Sequence, residues 1–387
     1  MCAAPRRVCA APRRVIARAR PPHMLMQVSE SAAVVWVMTV GHGWNISVHV
    51  AAHGEQWTRI TPVEMTPRRA EMATQSGRCV VSDLRPATSY RFKVLFTPDS
   101  PPASLLGAIV ERDGEFRTSV SKGQRGEVAF SFGSCLFPSV LPMLPLGSLL
   151  LQPMSFFLLL GDAVYVDVPF NFATSVEMLY RWLVADPMWT ALTSRTPVMA
   201  MFDDHEVQNN WDGSRHDPHA RSAIEIWTQF LGLRNPPPPP EAPRDAKYFM
   251  AQHGDVRLFV ADTRSHRVLE SSAQSRSLLG AQQLECLRQF LFVEEAACGA
   301  DLESGARAGA RSRRWQIEFP FGNTGKVRLR VLVTPVPFSD NAGRKIPARL
   351  SRAAPDGWRD FPKERQQVSC LCPCYGLALM SECMRAS

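Results

Sequence analysis

Past Gly126 the chain alternates between apolar runs of strand length and longer segments with apolar residues at three-to-four spacing, and several runs stop abruptly at charged residues. That alternation predicts an α/β layered domain. Strands are expected at Val128–Phe132, Ser155–Leu160, Val198–Phe202, Asp245–Gln252, Val256–Ala261 and Val327–Thr334, and helices at Ser175–Ala185, Ala220–Leu231 and Leu279–Glu295. The sharpest boundary follows Pro197-Val198-Met199-Ala200-Met201, where Phe202-Asp203-Asp204-His205-Glu206 begins. Ionisable groups at the end of a buried strand are costly unless they bind metal, bind substrate or move protons.

Three further clusters sit at strand ends. Ser131-Phe132-Gly133-Ser134-Cys135 closes one run, Leu160-Gly161-Asp162-Ala163-Val164-Tyr165 the next, and Ala261-Asp262-Thr263-Arg264-Ser265-His266-Arg267 a later one. Ligands of open α/β sheets bind outside the carboxyl ends of the strands, so Cys135, Asp162, Tyr165, Asp204 and His205 are expected to converge. Singly each has a plain structural reading: a small core thiol, a helix cap, a half-buried ring. Jointly, a thiolate, a phenolate and carboxylates are anionic ligands suited to trivalent iron, while carboxylates also suit a hard divalent cation. His205 lies between two acids and is placed to protonate a leaving oxygen or hold an anion. Arg264 and Arg267 are placed to clamp phosphate oxygens; a structural aspartate–arginine pair is the competing reading.

The stretch before this domain has a different period. Val34–Met38, Asn45–Val50, Gln56–Ile60 and Ser89–Phe96 alternate between polar and apolar, as strands of a β-sandwich do. Leu84-Arg85-Pro86-Ala87-Thr88-Ser89-Tyr90-Arg91-Phe92 resembles the tyrosine-corner strand of fibronectin type III domains. Residues 2–8 and 9–15 repeat one heptapeptide, Cys-Ala-Ala-Pro-Arg-Arg-Val, within a basic leader. Without an apolar core that leader is closer to an organelle transit peptide than to a secretory signal, which favours an intracellular or organellar setting. Much of the formal charge of +8 comes from its arginines, and no basic stripe interleaved with aromatics suggests a nucleic-acid-binding module. The uncharged stretch from Val128 to Gly161 is not expected to span a membrane, because Pro138, Pro142, Pro145 and Pro153 break any long helix. The scattered cysteines are expected to be reduced and mostly buried, Cys135 excepted.

Taken in order, these motifs resemble the PhoD-like (alkaline phosphatase D) metallophosphatase family of the calcineurin-like phosphoesterases. The resemblance is carried by Gly133-Ser134-Cys135, Gly161-Asp162-Ala163-Val164-Tyr165, Asp203-Asp204-His205-Glu206, Asp262-Thr263-Arg264-Ser265-His266-Arg267, Leu279-Gly280-Ala281-Gln282-Gln283 and Asp356-Gly357-Trp358. It implies a four-layer α-β-β-α sandwich preceded by a fibronectin type III-like β-sandwich. It also implies hydrolysis of phosphomonoesters and phosphodiesters, with a metal-bound hydroxide attacking phosphorus. Cys135, Asp162, Tyr165 and Asp204 would be metal ligands, with Asp162 bridging. His205 would assist the leaving group, with Asp203 supporting from behind the ligands and Arg264 holding the phosphate. The implied ions are iron(III) and calcium, with other divalent metals as alternatives, and the implied partner is a phosphate-ester substrate.

The chain departs from that family in one respect. The family's Gly-Asp-x-His motif is absent, since the last histidine is His266. The expected organisation is a disordered leader over 1–23, a fibronectin-like domain over 24–120, a metallophosphatase domain over 127–367 that is incomplete at its C-terminal end, and an atypical cysteine-rich tail over 368–387 foreign to the fold. The expected activity is that of a phosphoesterase with impaired or absent turnover, the alternative being a non-catalytic binding or regulatory protein.

Overall fold

The computed structural model describes residues 23–40, 43–57, 59–67, 69, 72–99, 110–121, 124–136, 143–167, 175–213, 218–270, 272–292, 329–336, 357–375 and 377–381. Residues 1–22, residues 337–356 and the side chains from Cys370 onward lie outside that set.

The N-terminal strands are β1 (His23–Val28), β2 (Ala33–Val40), β3 (Trp44–Ala52), β4 (Arg59–Pro62), β5 (Glu64–Met65), β6 (Thr74–Val81), β7 (Ser89–Pro98) and β8 (Val110–Arg117). They form two antiparallel sheets, ordered β1-β2-β6-β5 and β4-β3-β7-β8. Alternate residues of both, among them Val35, Val37, Val48, Val50, Phe92, Val94 and Phe96, share one buried cluster. At the corner entering β7, the Tyr90 hydroxyl accepts the Arg85 backbone N–H at 2.8 Å, the tie that the Leu-x-Pro-x-Thr-x-Tyr pattern predicts. The strand expected at Gln56–Ile60 starts later, at Arg59, because Trp57 lies under the cations of Arg91 and Lys93 at 4.6 and 4.8 Å instead of pairing. Strand β8 has little sequence signal, because among its described side chains only Phe116 enters the core.

Next come β9 (Phe130–Gly133), β10 (Phe156–Leu159), helix α1 (Val176–Ala185), helix α2 (Pro187–Thr193), β11 (Val198–Ala200) and helix α3 (Pro218–Phe230). β9, β10 and β11 make a parallel sheet ordered β11-β10-β9, so their carboxyl ends share one rim. A second sheet is ordered β12-β13-β14-β15, from β12 (Phe249–His253), β13 (Val256–Val260), β14 (Leu329–Thr334) and β15 (Leu377–Ser381). Helix α4 (Ala281–Phe292) and helix α5 (Pro362–Tyr375) belong to the same region.

The apolar runs are continuous because these strands are buried on both faces. Phe157, Leu159, Val198 and Ala200 pack with Leu179, Tyr180, Leu183, Trp189 and Trp227 from the helices. Phe156, Leu158, Met199 and Met201 turn the other way, against Phe249, Leu258, Val260 and Val333 of the second sheet. Beyond that sheet, Phe259 and Leu332 meet Leu287 and Phe290 of α4 and Val368 of α5. Helix α1 starts where Ser175 accepts the Met178 N–H at 3.3 Å. The sandwich is fixed to these helices by polar contacts. Trp36 Nε1 donates to the Gln229 carbonyl at 3.0 Å, and Glu177 accepts the backbone N–H of Thr74 at 2.9 Å.

No break in secondary structure falls after Gln367. Helix α5 runs through it, and Val368 is fully buried beside Trp358 and Phe361. Glu364 accepts the Leu279 N–H at 3.3 Å and the Ser277 hydroxyl at 3.0 Å. Beyond the helix, β15 pairs in parallel with β14, so residues read as foreign occupy a helix and a sheet position. Within the uncharged stretch, Leu144–Leu151 forms a 3-10 helix and Phe156–Leu159 forms β10; among the described residues no helix is long and apolar enough to cross a membrane.

His253 closes β12 against the Phe156 ring at 4.4 Å. Burial lowers its pKa from 6.5 to about 4, so it folds neutral. The unfolded chain therefore binds the extra proton first, and stability present above pH 6.5 is lost as pH falls toward 4. The shift corresponds to about 3 kcal/mol. Urea denaturation from pH 7 to pH 4 should show this acid loss, and His253→Leu should flatten the slope by roughly that amount.

Candidate metal centre

The rim of the β11-β10-β9 sheet builds the site. Two of the three strands, β9 and β10, end in a turn whose backbone is forced out of the extended region: Cys135 has φ +56°, Gly161 +92° and Asp162 +53°. Left-handed non-glycine residues are uncommon, and their clustering on one rim marks it as functional. Gly161 allows close approach as well, since a Cβ there would lie 2.5 Å from the Cβ of Asp203. Backbone bonds continue the rim past the strands, from Leu160 N–H to the Gly133 carbonyl at 2.7 Å and from Val166 N–H to the His205 carbonyl at 3.0 Å.

Asp162 is the hub. Its Oδ2 accepts the Tyr165 hydroxyl at 3.2 Å and the Cys135 thiol at 3.7 Å. Ligand atoms of Asp162, Asp204 and His205 all lie within 4.8 Å of one another. The structure thus brings together Cys135, Asp162, Tyr165, Asp204 and His205. Two groups share Asp162, one rich in sulfur and phenol oxygen, the other in carboxylate and imidazole. Partial burial pushes the Tyr165 hydroxyl well above the ordinary tyrosine range, helped by its bonds to Cys135 and the charge of Asp162. Such a hydroxyl ionises only against a positive charge at the same place. The donor set therefore fits hard cations held between anionic groups.

His205 is oriented by a residue that sequence reasoning missed. Its Nδ1 lies 2.8 Å from Asp167 Oδ1, while Asp167 Oδ2 accepts the Asn209 N–H at 2.7 Å. The Tyr165 ring packs against the imidazole at a tilt of 36°, with ring centroids 4.3 Å apart. Asp167 stands two residues after Tyr165, and that position was its one local signal.

Arg264 is 2% exposed, its Nε donates to Asp203 Oδ1 at 2.5 Å and its Nη2 to Asp204 Oδ1 at 3.1 Å. Its guanidinium thus makes the contacts of an aspartate–arginine pair. Asp203 is held behind the ligands; burial raises its pKa and Arg264 works against that rise. Asp262 aims the arginine through an Asx turn, Oδ1 accepting the N–H of Arg264 at 3.1 Å and of Ser265 at 2.9 Å. The Gln283 amide brackets Asp262 in turn, accepting its N–H at 2.8 Å and donating to its carbonyl at 2.7 Å. Burial raises the Asp262 pKa, but the Lys247 charge and the Ser265 bonds outweigh it, and the carboxyl sits below its usual value. Arg267 donates its Nε to the Thr263 carbonyl at 2.6 Å.

Glu206 also stood in the sequence motif without a role. It is fully buried, with Oε1 accepting the Ala163 N–H at 2.7 Å and Oε2 the Asp203 N–H at 2.9 Å. Burial, then the charge of Asp162, pushes its pKa up to about 8.

A cluster of anionic and imidazole groups at the carboxyl ends of parallel strands sits where open α/β sheets bind their ligands. A family model described as PhoD-like phosphatase matches residues 173–371, just over half of the sequence, and the chain belongs to that family. A solved structure of PhoD aligns with a TM-score of 0.67 and 16% identity over 94% of this chain and 72% of that one. A purple acid phosphatase from yellow lupin (Lupinus luteus) seeds aligns with a TM-score of 0.59 and 13% identity, over 95% of this chain and 58% of its own length. At such identities the likeness speaks to the fold. A comparison with curated proteins returned no match.

Removing the guanidinium would leave Asp203 and Asp204 buried without their cation. Arg264→Ala is expected to cost about 3–5 kcal/mol of stability, with Arg264→Lys intermediate because it keeps the charge and loses the fork. Denaturant titration of the metal-free proteins measures both.

Proposed function

We propose that the chain is a metal-dependent phosphoesterase that hydrolyses phosphomonoesters or phosphodiesters. The observation that carries this reading is the convergence of Cys135, Asp162, Tyr165, Asp204 and His205 on one sheet rim. Cys135, Asp162 and Tyr165 would hold iron(III), with Asp162 shared and Asp204 on the side of a calcium or other divalent ion. Bound cations there would polarise the phosphoryl oxygens and activate water. His205, with Asp167 fixing its Nδ1, would present Nε2 to the leaving oxygen and give it a proton. Asp203 and Arg264 would act by holding Asp204 in place. We also read the two facing sheets with their helices as the family's four-layer α-β-β-α sandwich, and the N-terminal sandwich as fibronectin type III-like.

A second reading is a non-catalytic binding or regulatory protein derived from this family.

Metal analysis of protein refolded with iron and calcium, followed by assays with p-nitrophenyl phosphate and bis(p-nitrophenyl) phosphate, separates the two. The enzyme reading expects near-stoichiometric metal and hydrolysis that Asp162→Asn abolishes together with metal binding. His205→Ala should retain metal and lower kcat by about 10²–10⁴. Asp167→Asn should lower kcat less and shift the pH profile. A folded protein that takes up no metal and hydrolyses neither ester overturns it in favour of the second reading.

A further inference from the structure

Two turns carry the carboxylates of this centre, one ending β10 with Asp162 and one ending β11 with Asp203 and Asp204. The strands pair only through Leu159 and Ala200, so the ladder ends before either turn begins. Further out the turns are joined by the Val166 N–H on the His205 carbonyl and by Asp167, while directly beside the ligand carboxylates they are joined by one side chain. The carboxylate oxygens of Glu206 accept, one each, the N–H of Ala163, directly after Asp162, and the N–H of Asp203, directly before Asp204. Gly161 sets the contact limit from the other side, because any Cβ there would collide with Asp203.

We propose that Glu206 is a positioning residue that fixes the separation of Asp162 and Asp204, holding their turns at ligating distance before a cation arrives. This rests on the metallophosphoesterase reading for its purpose, though not for its geometry. A carboxylate is suited to the task because both of its oxygens are acceptors. A glutamine has one acceptor oxygen and would turn an NH₂ group toward the second N–H. The near-isosteric change Glu206→Gln therefore removes one bond with little change in volume. Holding residues behind metal ligands change affinity by about 10–100-fold when altered.

Three measurements on the full chain test this. Amide exchange of the metal-free wild type should show Ala163 and Asp203 protected far beyond neighbouring turn residues; exchange at ordinary loop rates would overturn the proposal and needs no variant. In a folded Glu206→Gln protein, at least one of those amides should lose protection, and calcium or iron titrated into it should bind about 10–100-fold more weakly. With p-nitrophenyl phosphate at saturating metal, kcat should fall and KM should hold, and Glu206→Asp should recover part of the loss. A folded Glu206→Gln protein with wild-type exchange and wild-type metal affinity would sink the idea. If the wild type takes up no metal, the functional reading fails, while the exchange data still decide whether Glu206 joins the turns.

Discussion

One buried guanidinium ties the two sheets together at the rim where the chemistry would occur. Asp203 and Asp204 come from the end of β11 and Arg264 from the loop after β13, so their ion pairs at 2.5 and 3.1 Å cross from one sheet to the other. Neither side is tolerable alone. Adjacent buried carboxylates facing Asp162 repel one another, and a guanidinium with 2% exposure without an anion would be worse. The pairing therefore makes the relative setting of the sheets and the position of Asp204 a single constraint. Its aim is fixed from further out, by the Asp262 turn and by Gln283 of α4, which grips Asp262 through its backbone.

Strain completes the site. Cys135, Asp162 and Asn210 all hold left-handed backbone, at a cost of order 1–3 kcal/mol each, and each carries or neighbours a ligand group. Such conformations persist where surrounding bonds over-determine them. Asp204 accepts the Asn210 N–H, and Val166 N–H holds the His205 carbonyl, so the turns brace each other. The apolar layers below supply rigidity: Phe157 and Leu159 pack toward the helices while Phe156 and Leu158 pack toward the second sheet, leaving β10 no freedom to slide.

Much of this could be read locally. Strand ends were visible because apolar runs stop at charges, and helices α1, α3 and α4 because their apolar spacing is regular; the ligand types at those ends announced a cation. What depended on the partner across space could not be read. An arginine after a strand suits phosphate or carboxylate equally, and only the meeting of the two sheets puts Arg264 on Asp203. Glu206 showed as one more charge in a cluster, since nothing in its neighbours reveals that Ala163 N–H lies 2.7 Å away. Asp167 looked like an ordinary loop acid until His205 was placed beside it.

The segment after Phe361 shows why chemistry and packing must be read separately. Its part from Val368 onward reads as foreign because it offers closely spaced cysteines and no histidine. Folding asks something else of it, namely apolar and hydrogen-bonding groups at helical spacing. Phe361, Glu364 and Val368 provide these at intervals of three and four: a ring and an isopropyl group in the core beside Trp358, and a carboxylate on the backbone N–H of Leu279. Leu377–Ser381 then needs only to extend the sheet beside β14. The acidic groups and the imidazole on the β10 and β11 rim make contacts with Arg264, Glu206 and Asp167, none of which lies in that stretch. Their arrangement therefore stands independently of whatever completes the coordination.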